Sequence, residues 1–136
     1  MRPDERGAMA IEVVILTPVL IGAIMMIATG ARFVDARGQT NHAAYSAARA
    51  ASLTTNQEAA VRAGIQAAEH SMSERGHGCA HLNVTIDAGH FTPGGTVRAT
   101  VSCTADLSDL VGFGLPGSKT FSFTAVVPLE EHRSIP

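Results

Sequence analysis

Hydrophobic residues are distributed along this chain in two ways, first as one uninterrupted run and later as short alternating stretches. The run extends from Val13 to Ala31, where 19 consecutive residues carry no charge. As a helix, this segment would be about 28 Å long, close to the thickness of the hydrocarbon core of a bilayer. The pattern therefore predicts a transmembrane helix. Pro18 lies inside the run and should kink the helix, because proline cannot donate a hydrogen bond to the carbonyl of Val14.

The helical pattern continues beyond the apolar run. Residues 32–53 are rich in alanine, a strong helix former whose small side chain also lets another helix approach closely. Thr54 and Thr55 interrupt the pattern, and Asn56 is a suitable N-cap for a second helix that extends to Ser73. Apolar residues recur along this second helix at steps of three and four. They predict one apolar face, made of Val61, Ile65, Ala68 and Met72.

After residue 80 the hydrophobic period changes to that of a strand. Three stretches alternate between apolar and polar residues, and the turn-forming segment FTPGG at 91–95 separates the first two. Residues 106–119 have the composition of a loop. We therefore expect an α+β fold whose small three-stranded antiparallel sheet packs one face on the second helix or on the end of the first. The apolar strand positions are Leu82, Val84 and Ile86, then Val97, Ala99, Val101 and Cys103, then Phe121, Phe123, Ala125 and Val127.

Both cysteines, Cys79 and Cys103, lie in this C-terminal half. If the first two strands pair around the turn at 91–95, the cysteines come close together, and a disulfide would close a loop of about 25 residues. Disulfides form in oxidising compartments, so a bridge would place this half outside the cytoplasm. The basic residues give no orientation by themselves, because two arginines precede the apolar run and two follow it closely.

The overall composition argues against several classes of function. The chain has 136 residues and a formal net charge of −2, so its charge gives no indication of nucleic-acid binding. It contains no G-x-S-x-G, H-E-x-x-H or phosphate-binding glycine motif, and we expect neither an enzyme nor a cofactor. His77, Cys79 and His81 are close in sequence, but zinc sites usually need four ligands, and a disulfide better explains the cysteines. We therefore predict loop histidines and no metal site.

One residue does not fit a plain membrane anchor. Glu12 is a carboxylate at the start of the apolar run, and Gly7 precedes it by five residues. An ionised carboxylate costs on the order of 2.5–3.5 kcal/mol at the centre of a membrane helix and less near its end. A glycine followed by an apolar run with glutamate as its fifth residue resembles the N-terminus of type IV prepilins. The resemblance implies that a prepilin peptidase cuts between Gly7 and Ala8, which leaves 129 of the 136 residues.

The resemblance extends further along the chain. Pro18 six residues after the glutamate, the Gly30-x-Arg32 ending of the apolar run and the stretch AAYSAARAASL are similar to the TadE-like group (TadE, TadF and TadG) of the tight-adherence, or Flp, pilus system. The cysteine pair and the segment TFSFTAVVPLEEHR are similar too. TadE-like proteins often carry an acidic residue shortly before the Gly-x-Arg ending, where this chain has Ala28 and Thr29. The length, well above that of the short major Flp pilin, favours a minor pilin or pseudopilin.

The resemblance implies a structural protein of three parts: a leader at residues 1–7, a long membrane-inserted helix at 8–53 and a small extracytoplasmic α+β domain at 54–136. Its implied partners are prepilin peptidase, other pilin-like subunits, platform proteins of the pilus or secretion machine, and the lipid bilayer. Glu12 of one subunit would pair with the new N-terminus of Ala8 in a neighbouring subunit. Pro18 would let the helix bend as subunits leave the bilayer.

Two other interpretations remain open from the sequence. The chain could be a secreted binding domain behind an ordinary signal peptide, because Ala28-Thr29-Gly30 could serve as a signal peptidase site. It could also be an uncleaved signal-anchored protein with an extracytoplasmic domain. The mature N-terminus distinguishes the three interpretations: Ala8 indicates a pilin, Ala31 a secreted protein and Met1 an anchored one.

Overall fold

A computed structural model describes residues 3–74, 79–106, 108 and 116–132, with side chains from residue 7 onward. Two helices are followed by three strands, and together they confirm the predicted α+β fold. The chain divides into two compact units, Met1–Phe33 and Val34–Pro136, and the first helix contributes residues to both. The elements are α1 (Pro3–Ser52), α2 (Gln57–Ser73), β1 (His81–Asp87), β2 (Thr96–Asp106) and β3 (Ser118–Pro128).

The strands form one antiparallel sheet in the order β1-β2-β3. Val101 on the central strand lies opposite Val84 of β1 and Phe123 of β3, so the predicted apolar positions share one face. The turn at 91–95 connects β1 to β2, as expected from its composition. Gly94 has a positive φ of 78°, and a Cβ at Gly95 would collide with the carbonyl oxygen of His90. This turn therefore requires both of its glycines.

The apolar face of the sheet packs on both helices within the second unit. The main core cluster joins alanines of α1, residues of α2 and the buried positions of the central strand. Since alanine has only a methyl side chain, α1 can come close to its neighbours along this row. The fully buried alanines of α1 are Ala43, Ala44, Ala47, Ala48 and Ala51.

The buried face of α2 differs in part from the predicted one. Ala68 and Met72 are buried as expected, whereas Val61 and Ile65 are only half-buried. The line of closest approach instead passes through Ala60 and Gly64. A Cβ added at Gly64 would lie 2.7 Å from Cδ1 of Ile86 and 3.3 Å from the carbonyl oxygen of Ala47. Gly64 is therefore the point where the helix backbone approaches both α1 and the sheet, and the larger residues lie beside that contact.

Asn56 caps α2, as the sequence predicts. Its backbone is extended, and its side-chain oxygen accepts a hydrogen bond from the amide of Ala59 at 2.8 Å. This bond satisfies one of the amides that the first turn of a helix leaves without a partner.

Replacing the cap tests this contact. We expect Asn56→Ala to lower the free energy of unfolding by about 1 kcal/mol, because the amide of Ala59 loses its acceptor. Chemical denaturation of the full chain in detergent, followed by circular dichroism, measures the change. Asn56→Asp is the matched control, since its carboxylate can accept the same bond, and it should stay within a few tenths of a kcal/mol of the wild type. Equal stability of Asn56→Ala and the wild type would contradict the prediction.

Candidate functional site: the N-terminal apolar helix

The first unit presents an apolar surface all round its helix. Side chains from Gly7 to Ala28 are exposed, and they include thirteen large hydrophobic residues between Met9 and Ile27. A helix that is apolar on every side is stable only where lipid or other apolar groups surround it. In the part of the chain that the structure describes, this is the one helix long and apolar enough to cross a membrane, although a signal sequence has the same properties. It fits a single-pass membrane anchor.

The predicted processing and assembly residues all lie on this helix. Gly7, Ala8, Glu12 and Pro18 belong to α1 and are exposed. Ala8 and Glu12 are four residues apart, so they share one face and are separated by about 6 Å along the axis. Helical side chains lean towards the N-terminus, and the Glu12 carboxylate therefore lies over the turn that contains Ala8. Pro18 is rotated by roughly 240° from Glu12 and lies on another face.

Glu12 is a charged group of this segment for which the described part of the chain provides no partner. Among the described residues its carboxylate has no hydrogen-bond or ion-pair partner. By contrast, the two hydroxyls of the apolar run are satisfied locally: Thr17 donates to the carbonyl of Val13 at 2.6 Å, and Thr29 donates to the carbonyl of Met25 at 2.8 Å. Inside a bilayer a carboxylate needs a charged or hydrogen-bonding partner, so in a membrane Glu12 requires one from outside the described part of the chain.

Thr17 was not identified from the sequence as part of this site. It immediately precedes Pro18, which has no backbone N–H and therefore removes one hydrogen bond between helix turns, the bond to the carbonyl of Val14. Its hydroxyl supplies an additional donor one residue away, and α1 remains helical through the proline. The available signal was its position, because threonine hydroxyls beside a helix proline commonly bond to the preceding turn.

The predicted disulfide is present in the second unit. Cys79 and Cys103 are bonded, and their Cα atoms are 5.3 Å apart. Cys103 points to the core side of β2 and is buried, while Cys79 precedes β1 and packs half-buried against the same cluster. The amide of Ala80 donates to the carbonyl of Thr104 at 2.8 Å, which extends the β1–β2 pairing up to the bridge. The bond therefore fixes the beginning of β1 to the second half of β2.

The histidines considered as metal ligands do not form a described site. His81 is the exposed first residue of β1, and His77 lies outside the described residues. Cys79 is oxidised and cannot act as a thiolate ligand. Within the ranges that the structure describes, no group of three or more His, Cys, Asp or Glu side chains is arranged to hold a metal ion.

Comparison with known proteins confirms the predicted resemblance to TadE-like proteins over part of the chain. The model of one family, the TadE-like protein family, matches residues 7–49, a segment that begins at the predicted processing glycine and ends in the alanine-rich part of α1. No curated protein and no solved structure matches the chain. Over residues 7–49 the chain is therefore similar to the TadE-like protein family, and this similarity indicates a component of the Tad pilus.

Proposed function

We propose that this chain is a minor pilin or pseudopilin of a Tad/Flp-type pilus or a related secretion machine. The observation that carries the proposal is the carboxylate of Glu12, which has no partner among the described residues. It lies five residues after Gly7, on a helix with no other charge between Glu12 and Arg32. The family match covers this entire region. A charged side chain in an apolar helix makes membrane insertion less favourable in free energy. An ion pair formed during assembly would offset this penalty, so an assembly contact best explains why the charge is present.

Cleavage by prepilin peptidase would create the missing partner. Hydrolysis of the bond between Gly7 and Ala8 adds one water, leaves a carboxylate on Gly7 and frees an amine on Ala8 that is protonated near neutral pH. This cation forms one turn before Glu12 on the same face. A neighbouring helix displaced by one turn, about 6 Å along the axis, would bring its own Ala8 amine level with the carboxylate. Such a pair sets the register between subunits more than it adds stability.

The disulfide supports the orientation that this role needs. Cys79 and Cys103 are bonded, and disulfides persist outside the cytoplasm. We therefore infer that residues 34–136 are extracytoplasmic, residues 1–7 face the cytoplasm and α1 crosses the membrane once between them. Other pilin-like subunits, the platform proteins and the bilayer are the partners in this arrangement, and the protein itself catalyses no reaction.

The mature N-terminus tests the processing step. In cells with active prepilin peptidase, mass spectrometry of the purified protein should show a chain that begins at Ala8. Gly7→Leu should abolish this product, because a bulky side chain replaces the glycine next to the bond to be cut and also strengthens the helix that must open there.

Gly22→Leu is the matched control for that variant. Both glycines lie in the same exposed helix, and a Cβ at either one meets no atom within 4 Å. Gly22→Leu should therefore still be cut at Ala8. A wild-type chain that begins at Ala31 would instead establish the secreted binding domain, and one that retains Met1 would establish the signal-anchored protein.

A further inference from the structure

The outward face of the sheet carries a regular ladder of paired hydroxyl groups. Three pairs connect β2 to β3, each on directly opposed residues: Thr100 with Thr124 at 3.0 Å, Ser102 with Ser122 at 3.0 Å, and Thr104 with Thr120 at 2.9 Å. All three pairs lie on the exposed side, opposite to the core cluster. Cross-strand hydroxyl pairs of this kind stabilise a sheet by roughly 0.2–1 kcal/mol each.

The same short pattern occurs on both strands of the ladder. Residues 100–104 read TVSCT and residues 120–124 read TFSFT, so each strand has the form T-x-S-x-T. TFSFT is also identical when read in either direction. In an antiparallel pair the two strands run in opposite directions. Two copies of TFSFT can therefore pair with threonine opposite threonine and serine opposite serine, as β2 and β3 already do.

Among the described strands, β3 lies at an edge of the sheet where such a neighbour could pair. It is the last strand in the order β1-β2-β3, and in the part of the chain that the structure describes no strand pairs with its outer edge. It is 11 residues long, and no charged residue or proline interrupts Thr120–Val127. Long edge strands without such interruptions readily pair with another strand. Lys119 and Pro128 are confined to the two ends of β3. The opposite edge, β1, has only 7 residues, which makes it a shorter template.

We propose that β3 pairs with β3 of a second copy of this chain, antiparallel and centred on Ser122. In this register Ser122 lies opposite the partner's Ser122, and Thr120 lies opposite the partner's Thr124. The hydroxyl ladder is thereby repeated across the new interface, and the two three-stranded sheets become one sheet of six strands. The occupant is a second copy because only a T-x-S-x-T strand repeats the pairs already seen between β2 and β3.

The inner face of β3 is compatible with the same register. Phe121 lies opposite the partner's Phe123, and this happens twice about the twofold axis. Phe121 is only 6% exposed and packs with Ala36 and Ala105, so Phe123 provides most of the aromatic surface. Cross-strand aromatic pairs are among the favourable ones in antiparallel sheets. Phe123 is half-buried, and the guanidinium of Arg37 lies 5.7 Å from the centre of its ring. Arg37 therefore already lies over the ring of Phe123 within one chain.

Cysteine cross-linking tests the register directly. Opposed residues of antiparallel strands have Cα atoms about 4.5–5.5 Å apart, which suits a disulfide. In the full chain in membranes or detergent, treated with a mild oxidant, Ser122→Cys should give a disulfide-linked dimer as its main product. Thr120→Cys and Thr124→Cys should each give little dimer alone, because neither residue lies opposite itself. Mixed together, they should give a dimer that contains one chain of each.

Ser102→Cys is the matched control. It lies on the same outward face, bonded to Ser122, but one strand further in. Across the proposed interface the two copies of residue 102 would be about 14 Å apart, so we expect at least about tenfold less dimer than from Ser122→Cys. No dimer from Ser122→Cys would overturn the proposal, as would equal dimer from Ser102→Cys, which would indicate random collision. The test does not depend on the pilin role, since it reads the strand contact alone.

Discussion

Removal of the Cys79–Cys103 disulfide is expected to lower the free energy of unfolding of the second unit by about 3.5 kcal/mol. The bridge joins residues 24 positions apart and restricts the unfolded chain. Breaking it raises the conformational entropy of the unfolded state, which favours unfolding. Small domains have little stability in reserve. For a unit of this size we expect the melting temperature to fall by roughly 15 °C or more.

Two treatments distinguish the contribution of the covalent bond to stability from the contribution of the packed sulfur atoms. Adding a reductant to the wild-type chain breaks the bond and keeps both sulfur atoms in place. The double variant Cys79→Ala with Cys103→Ala also removes the sulfur of Cys103, which is only 3% exposed, so it should lose somewhat more stability. Circular dichroism of the sheet signal during heating measures both. The double variant serves as its own control, because a reductant should not change its melting temperature.

The entropic argument would be wrong if reduction shifted the wild-type melting temperature by only a few degrees. The hydrogen bond from Ala80 to Thr104 and the β1–β2 ladder would then be sufficient to hold this end of the sheet. A large shift would show that strand pairing alone is too weak, as expected for a strand of 7 residues at the edge of a small sheet.

The sheet and its bridge could be predicted because local patterns determine them. Alternation of apolar and polar residues identifies each strand, and the turn at 91–95 fixes which strands are neighbours. That pairing brings Cys79 and Cys103 together without information from distant parts of the chain. Asn56 was predictable for the same reason, since a helix cap involves residues only three apart.

The contact line of α2 was less predictable, because it depends on another element. Hydrophobicity identified Val61 and Ile65, the larger apolar residues on this side of the helix. The alanine row of α1 lets the two backbones approach closely, and at that distance only Ala60 and Gly64 fit between them. Glycine has no hydrophobic side chain, so a periodic hydrophobic pattern gives no signal for it.

The hydroxyl ladder also depends on contacts between elements, and it was therefore not predictable from the local sequence pattern. The two T-x-S-x-T stretches are visible in the sequence, at residues 100–104 and 120–124. Only the strand register places Ser102 opposite Ser122 and turns two stretches into three bonded pairs. The N-terminal site was predictable as a set of positions on one helix. Its proposed partner is another chain, and a single subunit contains no such contact.

Glu12→Leu is expected to leave membrane insertion intact or improved and to reduce incorporation into assembled pili or complexes at least tenfold. Insertion improves because a carboxylate has a cost in a membrane helix, about 2.5–3.5 kcal/mol at the centre and less near the end where Glu12 lies, and leucine removes that cost. Assembly fails because the neighbour's Ala8 amine loses its counter-charge and is left unpaired in an apolar environment. A tenfold loss corresponds to about 1.4 kcal/mol, well within the range for breaking a buried ion pair.

The experiment compares membrane-bound and assembled fractions in cells that make the whole pilus or secretion machine. Glu12→Gln keeps the shape of the side chain and removes its charge, so it should fail in assembly as Glu12→Leu does. Thr29→Val is the matched control in the same helix, because its hydroxyl is satisfied by Met25 of its own chain, and it should assemble normally. All variants must begin at Ala8, since an uncut leader would block assembly for another reason. If correctly cut Glu12→Leu chains assemble as well as the wild type, the carboxylate does not pair with a neighbouring N-terminus, and α1 functions as an ordinary membrane anchor.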